Sequence, residues 1–197
     1  MIKRLFDTVF SFLGLIIISP LFLIIALMIK LSSPGPVFYR GERVGRYGKP
    51  FRIFKFRTMV KNAEELGGPS TAADDPRLTK FGKFLKKYQL DELPQLINVI
   101  RGEMSLVGPR PEVKMYIDMM TEEEREIILS IKPGMTDLAS LWNFHEGEIL
   151  KGSLNPEKTY LEKIRPKKIQ LQLEYVKNRS FLLDLKIILK TIFKLFQ

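Results

Sequence analysis

TVFSFLGLIIISPLFLIIALMI, residues 8–29, contains no charged side chain. Most of its 22 positions are Leu, Ile, Val or Phe, and about 20 such residues suffice to cross a bilayer's hydrocarbon core. Three structures compete for the segment. A secretory signal would use Lys3 and Arg4 as its basic start, but no convincing small-residue cleavage site follows. A straight spanning helix has the length, yet Ser19-Pro20 lies at its centre, and proline removes a backbone donor and clashes with the preceding turn. Charge adds a second objection. Lys3 and Arg4 precede the run and Lys30, Arg40, Arg43 and Arg46 follow it, whereas basic residues favour the cytoplasmic side. A re-entrant helical hairpin bent at Ser19-Pro20 satisfies both flanks. The expected organisation is therefore a membrane hairpin over residues 1–33 and a cytosol-facing domain over residues 34–197.

The rest of the chain agrees with a membrane-surface location. Across its 197 residues it carries 32 Lys+Arg against 22 Asp+Glu. Such an excess suits nucleic acid, anionic headgroups or a polyanionic substrate. The apolar segment directs it to the membrane, and no nucleic-acid recognition motif is present, so nucleic acid is not an expected partner. The absence of cysteine excludes disulfides and thiolate zinc sites, and the lone His145 lacks companions for a metal centre. At the far end, Ser180–Phe196 spaces Lys186, Lys190 and Lys194 four apart on an apolar helix. A core helix and a helix lying in the bilayer interface both fit that pattern.

Between the two ends the pattern is α+β and mostly helical. Ser33-Pro34-Gly35-Pro36 is a break. Val37–Arg43 and Phe51–Phe56 are expected to form a β-hairpin about the turn Gly45–Gly48, and Lys61–Ala73 a loop. Helices are expected from Asp75-Pro76 (with Leu78, Phe81, Leu85 and Tyr88 inward), from Asp91 to Ile100 with Gly102 as stop, from a Thr121/Glu124 capping box to about Ile131, from Asn155-Pro156, and from Pro166 to Asn178. No alternating βαβ units are visible.

The chemistry is expected between Leu90 and Pro111, LDELPQLINVIRGEMSLVGPRP. Adjacent carboxylates at a helix start can simply cap its dipole. Here Lys83, Lys86, Lys87, Arg101 and Arg110 surround Asp91-Glu92, with Lys55 and Arg57 upstream. A surface charge mosaic would also look like this. The alternative is a phosphoanhydride site, in which carboxylates attack or hold Mg²⁺ and cations hold the phosphate oxygens.

KFRTM (Lys55–Met59), LDELPQL (Leu90–Leu96) and SLVGPRP (Ser105–Pro111), with Ser19-Pro20 and Asp184-Leu185-Lys186, together resemble the monotopic phosphoglycosyl transferases. These are bacterial sugar transferases that begin surface-glycan assembly, and the resemblance covers essentially the whole chain in its minimal catalytic form. It implies a UDP-sugar donor, a polyprenyl phosphate acceptor such as undecaprenyl phosphate, release of UMP, Mg²⁺, and a covalent phosphosugar–enzyme intermediate at the cytoplasmic face of the inner membrane. By the same resemblance Asp91 is the nucleophile and Glu92 its partner, either as metal ligand with Asp91 or as base. Lys55, Arg57 and Arg110 become candidates for phosphate or nucleotide contacts, and Pro109 and Pro111 for shaping the pocket. Gln95 and Asn98 are assigned to helix packing. A homodimer is compatible with the sequence and not required by it. The resemblance departs at Asp137–Asn143, DLASLWN, where many relatives have Gly-Leu, Gln-Val and Gly-Arg, so the donor sugar is left open; Trp142 could stack on it or fill the core. The rival reading is a non-enzymatic basic protein of the membrane surface, which leaves the three ordered motifs without a role.

Overall fold

The computed structural model describes residues 2–195; Phe196, the end of the expected C-terminal helix, lies outside them. Its first element, α1 (Ile2–Ser32), runs helical through Ser19-Pro20, so the expected break is not a break in the helix. Pro20 cannot donate to the carbonyl of Ile16 four residues back. The Ser19 hydroxyl donates to that oxygen instead, at 2.8 Å, which is how serine repairs a proline site in apolar surroundings.

One stripe of α1 touches the rest of the chain along its length. Arg4 donates to the carbonyls of Val99 and Ile100, at 2.5 and 2.9 Å. The Asp7 carboxylate, 3% exposed, accepts from Ser105 Oγ at 2.7 Å. Ile25 and Ile29 pack with Phe56 and Leu85, beside Phe22 and Phe38. The opposite side presents Ile17, Leu23, Ile24, Leu27 and Leu31 to the surroundings. Burial accounts for 11% of the most apolar window, so α1 is not the core helix of a soluble protein.

The hairpin forms as expected, in two short ladders: β1 (Phe38–Tyr39) with β4 (Lys55–Phe56), and β2 (Glu42–Val44) with β3 (Pro50–Arg52). A single register runs through both, bridged by Ile53 N–H donating to the Gly41 carbonyl at 3.0 Å. Phe51 and Ile53 then face Val99 and Met104 in a common core cluster.

Helix α2 (Lys80–Lys87) starts later than expected because Thr79, not Asp75, is its cap: Thr79 Oγ1 accepts from Gly82 N–H at 2.9 Å. Asp75 is instead held by Arg77, at 2.7 Å. Leu78 and Leu85 are inward as read, but Tyr88 is exposed. A Cβ on Gly82 would stand 1.8 Å from the Thr58 carbonyl oxygen. Gly82→Ala is therefore expected to destabilise the fold by about 2 kcal/mol, since packed backbone cannot give way, and thermal unfolding will measure it.

After a 3₁₀ turn at Leu90–Glu92 comes α3 (Gln95–Arg101), stopped by Gly102 at φ 82° as expected. The next strand, β5 (Ser105–Val107), is followed by α4 (Lys114–Asp118) and α5 (Glu122–Leu129), the latter with the Thr121/Glu124 capping box. Strand β6 (Gly134–Thr136) then pairs parallel to β5. This small β–α–α–β crossover was not visible in the sequence, because three-residue strands carry no periodicity. The chain closes with α6 (Leu138–Trp142), α7 (Glu146–Leu150), α8 (Pro156–Thr159), α9 (Arg165–Asn178) and α10 (Phe181–Leu195). Asn155 and Pro166 open α8 and α9 as read.

Helix α10 buries one face and exposes the other. Asp184 and Ile187 are buried, while Leu182, Leu189, Ile192 and Phe193 are exposed. Asp184 joins Tyr175 Oη (2.6 Å) and Lys3 (2.6 Å), and Phe6 meets Phe181 edge to face. The N-terminal ends of both apolar helices are thus fastened together. Of the lysine stripe, Lys194 turns inward to the Leu141 carbonyl, whereas Lys186 and Lys190 stay outside.

Candidate active site

A cleft of about 1420 Å³ is lined by residues of the hairpin, α2, the 3₁₀ turn, the Arg110–Val113 segment and the Ser140–Glu148 region. Asp91 and Glu92 lie in it. The turn that carries them begins at Gln89, whose φ of 53° is left-handed. A non-glycine residue there is strained, as is common at functional sites. Its amide nitrogen donates to the Phe144 carbonyl at 2.7 Å, tying the turn to the opposite wall.

The two carboxylates have opposite surroundings. Glu92 is bracketed by cations: Lys55 Nζ donates at 2.8 Å, and the Arg110 guanidinium grips both oxygens, one at 3.0 Å. Burial alone would raise Glu92, but Arg110 and Lys55 outweigh it and hold the carboxyl well below its usual range. Asp91 is 7% exposed, and among the described residues its carboxylate accepts no hydrogen bond and joins no salt bridge, the nearby Lys55 and Arg110 both going to Glu92. Burial pushes its carboxyl up and Glu92 reinforces that, against the lowering by Lys55, Lys86 and Arg110. Asp91 caps nothing. Lys86 is half-buried in the same wall, and desolvation lowers its ammonium against the pull of Asp91.

Of the other sequence candidates, Lys55, Arg110 and Pro111 join this cluster. Arg57 lines the cleft, but its guanidinium donates to the Ser33 and Pro34 carbonyls, both at 2.7 Å, and fixes the exit of α1. Pro109 lies behind, in a small cavity with Val44 and Ile117, and its carbonyl accepts from Gly134 N–H at 2.9 Å. Asn98 does brace α3, through Phe54 N–H and the Arg52 carbonyl. Gln95 does not: it is 1% exposed, lines the cleft, and both amide atoms are without partners. Trp142 is 45% exposed and does not line the cleft, so it neither fills the core nor faces a donor there.

Four contributors escaped sequence reading. Asp137, fully buried, accepts from Ser140 N–H (2.6 Å) and from Arg110 N–H (3.2 Å), so it starts α6 and fixes Arg110 together; its spacing to Ser140 is a cap signal that could have been noticed. Glu112 and Lys168 form a buried ion pair at 2.9 Å, with Tyr160 Oη donating to Glu112 at 3.2 Å. A π-helical turn, Tyr160–Ile164, delivers that tyrosine just before Pro166. Burial pushes its hydroxyl up to about 12 despite Lys168, so it stays a donor.

Among the described residues no group of three or more His, Cys, Asp or Glu is placed to hold a metal. Mg²⁺ needs less than that: one or two carboxylates, substrate phosphates and water. Asp91 offers one unengaged carboxylate facing the cleft, which fits; Glu92 could serve only if Arg110 released it.

Among the described residues, then, the cleft holds an unpaired acid beside a cation-bracketed one, on the same body as a long apolar helix that is mostly exposed. The chain belongs to the bacterial sugar transferase family, whose profile matches residues 1–197. It is 40% identical to the UDP-glucose:undecaprenyl-phosphate glucose-1-phosphate transferase of Escherichia coli, over 98% of this chain and 40% of that protein. It is 38% identical to the exopolysaccharide production protein ExoY of Sinorhizobium fredii, over 96% and 83% of the two chains. The uncharacterized sugar transferase EpsL of Bacillus subtilis is 37% identical over 98% and 86%. The chain spans about two fifths of the length of the E. coli relative.

Proposed function

We propose that this chain moves a sugar-1-phosphate from a UDP-sugar to a polyprenyl phosphate such as undecaprenyl phosphate. In the first step an Asp91 carboxylate oxygen attacks the sugar-bearing phosphorus. The phosphoanhydride bond breaks and UMP leaves with the bonding pair. In the second step an oxygen of the lipid phosphate attacks the same phosphorus, the Asp91–phosphorus bond breaks, and the carboxylate is regenerated. Two successive displacements let a soluble donor and a lipid acceptor use one site in turn.

The observation that carries this reading is the asymmetry of the pair. Glu92 is committed to Lys55 and Arg110, while Asp91 is buried, unpaired and open to the cleft. Carboxylate attack on a phosphate diester brings like charges together, and Lys55, Lys86 and Arg110 supply the opposing field. Bound Mg²⁺ would add charge neutralisation at the phosphate oxygens. In this reading Glu92 holds the cations in place. The decisive assay incubates the protein in nanodiscs with UDP-sugars, Mg²⁺ and undecaprenyl phosphate and measures UMP; no UMP from any donor would leave only the membrane-surface binder.

The re-entrant placement at the cytoplasmic face is part of the same proposal. Its support is the single contact stripe from Arg4 to Ile29, which keeps both halves of α1 on one body, with basic residues at both ends. The chain has no cysteine, so Ile2→Cys and Ser32→Cys can be labelled singly. Both are expected to react from the cytoplasmic side; a periplasm-facing residue 2 would sink the re-entrant placement.

A further inference from the structure

Buried polar atoms in folded proteins nearly always have partners, and each exception calls for a reason. Among the described residues seven of the eleven exceptions belong to residues that line the cleft, among them both amide atoms of Gln95, Glu112 Oε2, Ser140 Oγ and Asn143 Oδ1. Glu112 stands out, being charged and 4% exposed. Its Oε1 receives both Lys168 Nζ (2.9 Å) and Tyr160 Oη (3.2 Å), yet Oε2 receives nothing. Lys168 has three N–H donors. Two are spent, on Glu112 and on Tyr160 Oη at 2.9 Å, and the third is unassigned. An acceptor and a donor thus stand side by side in one wall of the cleft.

Their position relative to the chemistry is set by the chain. Arg110 grips Glu92, and Glu112 follows two residues on; each of Pro109 and Pro111 locks its own φ, and a residue preceding proline is extended. Two extended residues cover at most about 7 Å, comparable to one hexose ring. We propose that Glu112 and Lys168 form the subsite for the donor's sugar, in which one ring hydroxyl donates to Glu112 Oε2 and a neighbouring oxygen accepts from Lys168. The proposal rests on the reaction proposed above and adds to it the group that reads the sugar.

The test pairs deoxygenated donors with one variant. Wild-type protein is given a UDP-hexose that it turns over and the same donor lacking one ring hydroxyl at a time. A site built to bond a hydroxyl rejects the analogue without it strongly, so one analogue is expected to lose at least about 100-fold in kcat/KM. Glu112→Gln is expected to lose a similar factor with the parent donor and little more with that analogue, while UMP affinity is unchanged. The wild-type series needs no variant to fold. The subsite is overturned if every analogue stays within about 3-fold of the parent, if the two losses multiply, or if UMP affinity falls in step. If wild type turns over no UDP-sugar, the reaction itself is refuted and the subsite with it; activity with flat analogue rates refutes the subsite alone.

Discussion

Asp91→Asn is expected to lower UMP release by on the order of 10⁴-fold or more, the scale on which a lost covalent nucleophile is felt. Donor affinity should hold or improve, because the substitution removes a negative charge that faces the incoming diphosphate. Stability separates this outcome from a structural one. The carboxylate has no partner to lose among the described residues, and burial raises its pKa above the ordinary 3.8. A raised acid releases its proton more readily when unfolded, so ionisation of Asp91 disfavours the folded state at neutral pH, and the cost vanishes only when pH falls below the ordinary value. Asn carries no such cost. Its melting temperature should therefore equal or exceed that of wild type, and a marked drop would restore the helix-cap reading. The same shift sets the acid limb of the pH profile. Attack needs the carboxylate, so activity falls as pH drops through a value above the ordinary one. Lys55→Met removes a charge that opposes the shift and should move that limb to higher pH.

The long apolar helix, the hairpin, the capping box and the acid–cation motif were all legible in the sequence because each is written in local pattern: an uncharged run, alternation about glycines, Thr121 three residues before Glu124. What was not legible depends on distant partners. Asp7 reads as a charge before an apolar run, and only the fold shows it holding α1 to Ser105. Arg57 reads as one more cation near the site, but the chain leaving α1 passes close enough to take its guanidinium; a Cβ on Gly35 would overlap it. Asp75 has the spacing of a cap and loses to Arg77, two residues on, while Thr79 sits where the Thr58 carbonyl ends the preceding ladder. Glu112 and Lys168 are 56 residues apart, and neither announces the other. Local rules place the acidic pair; tertiary contacts decide which charges remain free around it.

Arg110 tests that division of labour most severely. Its two-pronged contact with Glu92 matches planar guanidinium to carboxylate, a geometry that lysine cannot reproduce. Arg110→Ala leaves Glu92 with Lys55 alone, and removing one member of a buried pair strands the other. With Lys55 still present, about 2 kcal/mol of stability should be lost, together with about 10² to 10³-fold in turnover, the usual effect of removing a charge that faces developing negative charge. Arg110→Lys should recover much of the stability and little of the turnover. The informative protein is the double variant, Glu92→Gln with Arg110→Met. It leaves no carboxylate stranded, and Lys55 keeps an amide oxygen as acceptor at position 92, so its melting temperature should return toward wild type, while UMP release stays as low as in Arg110→Ala or lower. If the double variant regained activity along with stability, the pair would be a structural brace and the field around Asp91 would have to come from Lys86 and Lys55. If Glu92→Gln alone left turnover intact, Glu92 would be only the anchor of the arginine, and a role as base or obligatory metal ligand would be excluded.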